Sequence, residues 1–143
     1  FDAGSEPWQV SFGGSAKGTS SVKDGALCAT ITNAGENPWD AQLQFASIPA
    51  ETGRSYVIDY RVWTSKPSDV RAKLGLDAAP WTEYWVQNVA ATPQPQRVTY
   101  RFVLADKVPG TLGLGFQFAG YFARQVPVTL CIDDVSLTRV PSP

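Results

Sequence analysis

Apolar residues in this chain recur at every second position in runs of strand length, and no window keeps a helical period for three turns. Alternation at period two turns one side of an extended chain to a core and the other to water, the pattern of a half-buried antiparallel strand. In residues 56–64 it sets Tyr56, Ile58, Tyr60 and Val62 on one face and Val57, Asp59, Arg61 and Trp63 on the other. Residues 70–76 repeat it with Arg71 and Lys73 outward, and residues 97–104 repeat it again. In residues 111–118 the inward set is Leu112, Leu114, Phe116 and Phe118, which leaves an unusually bare outer face of Gly113, Gly115 and Gln117. Clusters such as Gly13-Gly-Ser15, Asn33-Ala-Gly-Glu-Asn-Pro38 and Val108-Pro-Gly110 separate the runs as turns. Short strands at this spacing predict an all-β sandwich or barrel. A length of 143 residues fits one domain, read here as residues 1–140 with 141–143 as the start of a linker.

Two of the apolar runs carry the only cysteines. Val128-Thr-Leu-Cys-Ile-Asp-Asp-Val-Ser-Leu137 lies near one end of the chain and Ala26-Leu-Cys-Ala-Thr-Ile31 near the other. Their placement favours a structural bridge between Cys28 and Cys131, and with it a secreted protein; the alternative is two buried reduced thiols. Asp133 and Asp134 follow shortly after Cys131, and alternation turns one of them inward, where a carboxylate needs a partner. No charged and apolar leader opens the chain at Phe1, as expected of a processed or excised segment.

Charge and composition exclude several functions. A net charge of −1 with scattered lysines and arginines makes nucleic acid and anionic membrane poor partners, and no stretch approaches the ~18 apolar residues of a membrane span. The sequence has no histidine, which removes the Ser-His-Asp and Cys-His arrangements and histidine zinc sites. What survives is a pair of carboxylates of the glycosidase kind, for which Asp59, Asp77 and Glu83 fall nearest the face favoured as functional. No motif marks them.

The aromatic residues say more. Trp8, Trp39, Trp63, Trp81 and Trp85 are many for this length, and several stand beside prolines or in turns where a core does not need them. A flat indole covers the apolar face of a sugar ring, whose axial C–H groups are slightly positive. Gln42, Gln44, Gln117 and Arg71 point outward from strands and can hydrogen-bond hydroxyls from a rigid base. Aromatics beside amides on one sheet face point to glycan binding.

At this level of detail the chain resembles a known family. Gly25-Ala-Leu-Cys28, Asn37-Pro-Trp-Asp-Ala-Gln-Leu43, Gly53-Arg-Ser-Tyr56, Ala79-Pro-Trp81, Gly115-Phe-Gln117 and Leu130-Cys-Ile-Asp-Asp-Val-Ser-Leu137, in this order, are similar to carbohydrate-binding modules of family 4, in the wider group of families 4, 9, 16 and 22. The resemblance implies a jelly-roll β-sandwich of two antiparallel sheets that is not catalytic and binds single glycan chains in a cleft on its concave face. Carried over by residue, it implies cleft roles for Phe12, Trp39, Gln44, Arg71, Trp81 and Gln117. Because alternation puts Trp8, Val10 and Phe12 on one face, a cleft-facing Phe12 beside a buried Trp8 requires a bulge. Lys73 stands where some cellulose-type members carry an apolar residue. Three aromatic walls imply β-1,3-glucan first, mixed-linkage or β-1,4-glucan second and xylan third, with a monomeric module covalently linked to a glycoside hydrolase. The resemblance also implies structural calcium, held by Asp133, the Gly25 carbonyl and Asp2 in the first residues. Its rivals are a small jelly-roll hydrolase or lyase using Asp77 or Glu83, and a structural or adhesion sandwich with its aromatics in the core.

Overall fold

In the computed structural model, residues 8–49, 51–104, 107–123 and 125–141 are described. Among these described residues ten strands run in the order β1 (Gln9–Phe12), β2 (Lys17–Lys23), β3 (Ala26–Asn33), β4 (Ala41–Ile48), β5 (Ser55–Thr64), β6 (Ser68–Leu76), β7 (Glu83–Ala91), β8 (Gln96–Val103), β9 (Leu112–Gln117) and β10 (Val128–Val140). They form two five-stranded antiparallel sheets, β1-β4-β9-β6-β7 and β2-β3-β10-β5-β8. The fold is a jelly-roll β-sandwich.

The two inner faces meet in one core. Ile58, Tyr60 and Val62 of β5, Leu130 and Ile132 of β10 and Leu27 and Ile31 of β3 pack against Leu43 of β4, Val70 and Leu74 of β6 and Phe116 of β9. Each buried set is one register of an alternating run, as period two requires. The hairpin between β2 and β3 turns on Asp24-Gly25, both at positive φ (51° and 80°). This is the two-residue turn that Asp-Gly favours, because glycine enters the left-handed region without a Cβ clash.

The disulfide joins neighbouring strands. Cys28 and Cys131 face each other across β3 and β10 with Cα atoms 4.1 Å apart. They lie on the outer face of their sheet under Trp63, and Arg61 covers that indole 5.7 Å from its centroid. Neither following aspartate enters the core. Ile132 faces inward and Asp133 pairs with Arg61 on the outer face; a bulge then inserts Asp134 at φ 52° before Val135 returns to the core side. The expected inward carboxylate is therefore absent from this strand, since the extra residue resets the alternation.

Three of the five tryptophans serve packing. Trp8 sits 5.7 Å from Phe45 and 6.1 Å from Phe116, Trp85 stacks on Phe102 at 6.0 Å, and Trp63 covers the disulfide. Trp39 and Trp81 are 57 % and 56 % exposed.

Candidate functional site

The outer face of the β1-β4-β9-β6-β7 sheet carries a cavity of ≈ 570 Å³ lined by Trp39, Gln42, Gln44, Lys73, Trp81, Glu83 and Gln117. Its floor is β9, the central strand. Gly113 and Gly115 face outward there, but they are roofed rather than bare. A Cβ on Gly113 would meet Gln44 Nε2 at 2.6 Å, and one on Gly115 would meet Lys73 Cε at 3.4 Å and Gln42 Oε1 at 3.5 Å. Absent side chains on the central strand let the polar side chains of β4 and β6 lie down across it. The glycines set the depth of the cleft.

A chain of polar contacts crosses this floor. Glu83 accepts two hydrogen bonds from Arg71, at 2.7 and 2.5 Å. Arg71 also donates to Gln117 Oε1 at 2.9 Å, which leaves the Gln117 amide nitrogen to donate to Gln42 Oε1 at 3.4 Å. Arg71 thus fixes which end of each amide faces which way, and the Gln42 nitrogen is left to serve a ligand. Gln117 is 3 % exposed, so this orientation is set in the interior of the sheet.

The two exposed indoles stand on braced turns. Trp39 occupies a 3-10 turn, Pro38–Asp40, where Asp40 Oδ2 accepts the N–H groups of Glu36 and Asn37, each at 3.1 Å. Gly13 N–H donates to the Asp40 carbonyl at 2.7 Å, and Ala119 N–H donates to the Pro38 carbonyl at 3.1 Å. Trp81 lies in the β6–β7 loop at φ 62°, a region costly for a bulky residue, and its N–H donates to the Ala78 carbonyl at 2.9 Å. β4 and β6 run in the same direction, each antiparallel to β9 between them. Trp39 precedes β4 and Trp81 follows β6, so the indoles wall opposite ends of the floor.

Trp39, Gln44, Trp81 and Gln117 thus meet in one cleft, with Arg71 bonded into it. Phe12 does not join them. It pairs with Ala41, and Val10 with Leu43, both core residues, and Phe12 packs against the core with its ring beside Gly18. No bulge interrupts β1, so simple alternation decides its side. The cleft has two aromatic walls rather than three. Gln42, read from sequence as an outward amide, lines it too, and so do Lys73 and Glu83, which were not singled out as ligand-binding residues; each was visible as an outward position or a charge, and only cross-strand register joins them.

The candidate carboxylates are engaged elsewhere or locked. Asp59 lies on the opposite sheet, bonded to Arg97 at 2.9 Å, which corrects its expected place near the functional face. Asp77 Oδ2 accepts the Thr111 hydroxyl at 2.7 Å and the Ser47 N–H at 2.8 Å, tying the β4 bulge to the start of β9. The Thr111 hydroxyl in particular holds the Asp77 carboxyl below its usual range, and Arg71 does the same to Glu83. A glycosidase acid needs the opposite shift.

These shifts set an acid limit. Glu83 and Asp77 have folded-state pKa values below their ordinary 4.5 and 3.8, so their stabilisation is complete above those values and lost as pH falls through the folded ones. The melting temperature should stay level from about pH 7 to about pH 5 and then fall, and Glu83→Gln should flatten that acid limb. A Glu83→Gln protein with the wild-type acid limb would remove the pair from the account.

For calcium, Asp133 and Gly25 fall at the same end of β10 and β3, just past the paired Ile132 and Leu27. Both offer the hard oxygen donors that calcium takes. Asp2 lies outside the described residues. Among the described residues no three His, Cys, Asp or Glu side chains come together as a metal cluster, so any cage would draw on further backbone or water oxygens.

A sheet face with two open indoles over oriented amides is built to bind a glycan. The chain belongs to the CBM_4_9 carbohydrate binding domain family, which matches residues 1–117. It is 32 % identical, over 78 % of its length, to a cellulose 1,4-beta-cellobiosidase of Acetivibrio thermocellus, and 30 % identical, over 96 %, to endoglucanase C of Cellulomonas fimi. It spans 13 % and 12 % of those enzymes. Among solved structures it is similar to a CBM4 module at TM-score 0.84 and 22 % identity, covering 93 % of this chain and 86 % of that one. It is also similar to the N-terminal cellulose-binding domain of Cellulomonas fimi β-1,4-glucanase C at TM-score 0.70 and 25 % identity, covering 95 % and 90 %. The protein is a carbohydrate-binding module.

Proposed function

We propose that the cleft binds a single β-glucan chain, β-1,4-glucan ahead of mixed-linkage and β-1,3-glucan, and holds a covalently attached glycoside hydrolase on its polysaccharide. The observation that carries this is the pair of open indoles, Trp39 and Trp81, facing one oriented amide floor. Stacking on the indoles supplies affinity, while Gln42, Gln44 and Arg71 meet the equatorial hydroxyls. The expected order of ligands changes because the argument for β-1,3-glucan needed a third aromatic wall, and Phe12 lies on the core side. A relative named for cellulose 1,4-beta-cellobiosidase and a cellulose-binding domain among the similar structures support the new order. The short share of the two enzymes that this chain spans supports an attached catalytic domain. The disulfide supports an extracellular site of action. Read as a monomer, the module contributes by effective concentration.

Affinity electrophoresis of the module through gels containing β-1,4-glucan, mixed-linkage glucan, β-1,3-glucan or xylan tests this directly. The strongest retardation is expected in β-1,4-glucan; unimpeded migration in all four gels would end the proposal.

Structural calcium belongs to the same reading, with Asp133 and the Gly25 carbonyl as donors on the sheet that does not form the cleft. Chelation is expected to lower the melting temperature and leave glucan affinity unchanged, because an ion bound to the folded state alone stabilises by mass action. Identical melting curves with and without excess chelator would remove calcium from the account.

A further inference from the structure

Lys73 stands on β6 between Arg71 and Gly75, on the strand face turned to the cleft, and is only 6 % exposed. Its stem crosses β9 at Gly115, where a Cβ would approach Lys73 Cε to 3.4 Å. Among the described residues its ammonium makes no hydrogen bond and no ion pair. Its acidic neighbour Glu83 has both carboxylate oxygens committed to Arg71. Burial pushes Lys73 below the ordinary lysine range; the charge of Glu83 partly offsets this, and a smaller repulsion from Arg71 adds to it. A largely buried ammonium that no hydrogen bond satisfies, and that only the charge of Glu83 attracts, gains little from the fold, so packing gives no reason for lysine here; methionine would fill the same space.

Three donors and no acceptor, aimed into a glycan cleft, call for oxygen atoms on the ligand. The linkages differ in what they offer. A β-1,4-linked glucosyl or xylosyl unit keeps O2 and O3 as free, adjacent hydroxyls. A β-1,3 linkage turns O3 into a glycosidic oxygen and leaves O2, O4 and O6, no two of them on adjacent ring carbons. One ammonium bridges an adjacent pair of hydroxyl oxygens but not a separated one.

We propose that Lys73 is the linkage-reading residue of the cleft, its ammonium donating to the O2/O3 pair of a β-1,4-linked unit and thereby disfavouring β-1,3-linked chains. This rests on the assignment of the cleft as a glycan site and adds the atom that sets its selectivity. It also accounts for the unpaired charge: stability is given up in the free module for a contact completed only by ligand.

The test is calorimetric titration of wild type, Lys73→Met and Lys73→Gln with cellohexaose, xylohexaose and laminarihexaose, alongside melting curves of the free proteins. Wild type is expected to prefer cellohexaose and xylohexaose. Lys73→Met should weaken both by about tenfold or more and leave laminarihexaose within about twofold, so that the preference collapses. Lys73→Gln should lose less, in the same order. Free Lys73→Met should melt no lower than wild type, whereas a structural lysine would leave it less stable. Equal losses on all three ligands, no loss on any, or a wild-type preference for laminarihexaose overturns the proposal. Wild type that binds none of the three would instead bring down the glycan-site assignment itself.

Discussion

Replacing Trp81 or Trp39 by alanine should weaken binding of a β-glucan hexasaccharide by roughly thirtyfold or more. Removing a central aromatic anchor commonly costs about 2 kcal/mol or beyond. Both rings are more than half exposed in the free module, so truncation removes ligand contact with little change to the core. Circular dichroism and melting curves should therefore stay near wild type. Trp63→Ala reverses the pattern: affinity holds while stability drops, because its ring covers Cys28 and Cys131 on the other sheet. If calorimetry found both Trp39→Ala and Trp81→Ala binding as wild type does, the cleft would be wrongly placed. A loss confined to Trp81→Ala would make it a one-walled groove.

The disulfide is the second large effect. Cys28 and Cys131 are 103 residues apart in sequence, so their bond closes most of the chain into one loop. In the chain-entropy view, closing so long a loop stabilises by roughly 4–5 kcal/mol. The Cys28→Ser, Cys131→Ser double variant should thus denature at much lower guanidinium concentration while keeping its glucan affinity, since the bond lies on the sheet opposite the cleft. A loss below about 1 kcal/mol would mean that β-sheet pairing alone fixes the register of β3 against β10.

Much of this architecture was legible because burial in a sandwich is written at period two. Tyr56, Ile58, Tyr60 and Val62 were assigned to the inner face of β5 from alternation alone, and they occupy it. The outward amides of β4 were legible for the same reason, and the exposed Trp39 and Trp81 from the prolines beside them. Phe12 shows what happens when a carried-over role conflicts with that rule. Its cleft role needed a bulge in β1, and the unbroken register of Val10 with Leu43 and Phe12 with Ala41 keeps it on the core side.

The converse error occurred in β10. There a bulge was not foreseen, and Asp134 at positive φ absorbs the extra residue that keeps both aspartates out of the core. Asp59 was placed on the wrong sheet because alternation tells which face a residue takes, not which sheet its strand joins. Sheet membership depends on pairings between distant segments, and so does the contact chain from Glu83 through Arg71 and Gln117 to Gln42. Gly113 and Gly115 looked like a bare surface in sequence. Their neighbours across β4 and β6 make them the floor of the cleft.

The most direct test of the central claim follows the five tryptophan side-chain N–H signals by NMR while cellohexaose is added to the intact module. The signals of Trp39 and Trp81 should move or broaden together, along with the side-chain amides of Gln42, Gln44 and Gln117, and those of Trp8, Trp63 and Trp85 should stay in place. Movement of the Trp63 signal with Trp39 and Trp81 unmoved would put the ligand on the disulfide-bearing face and contradict the account.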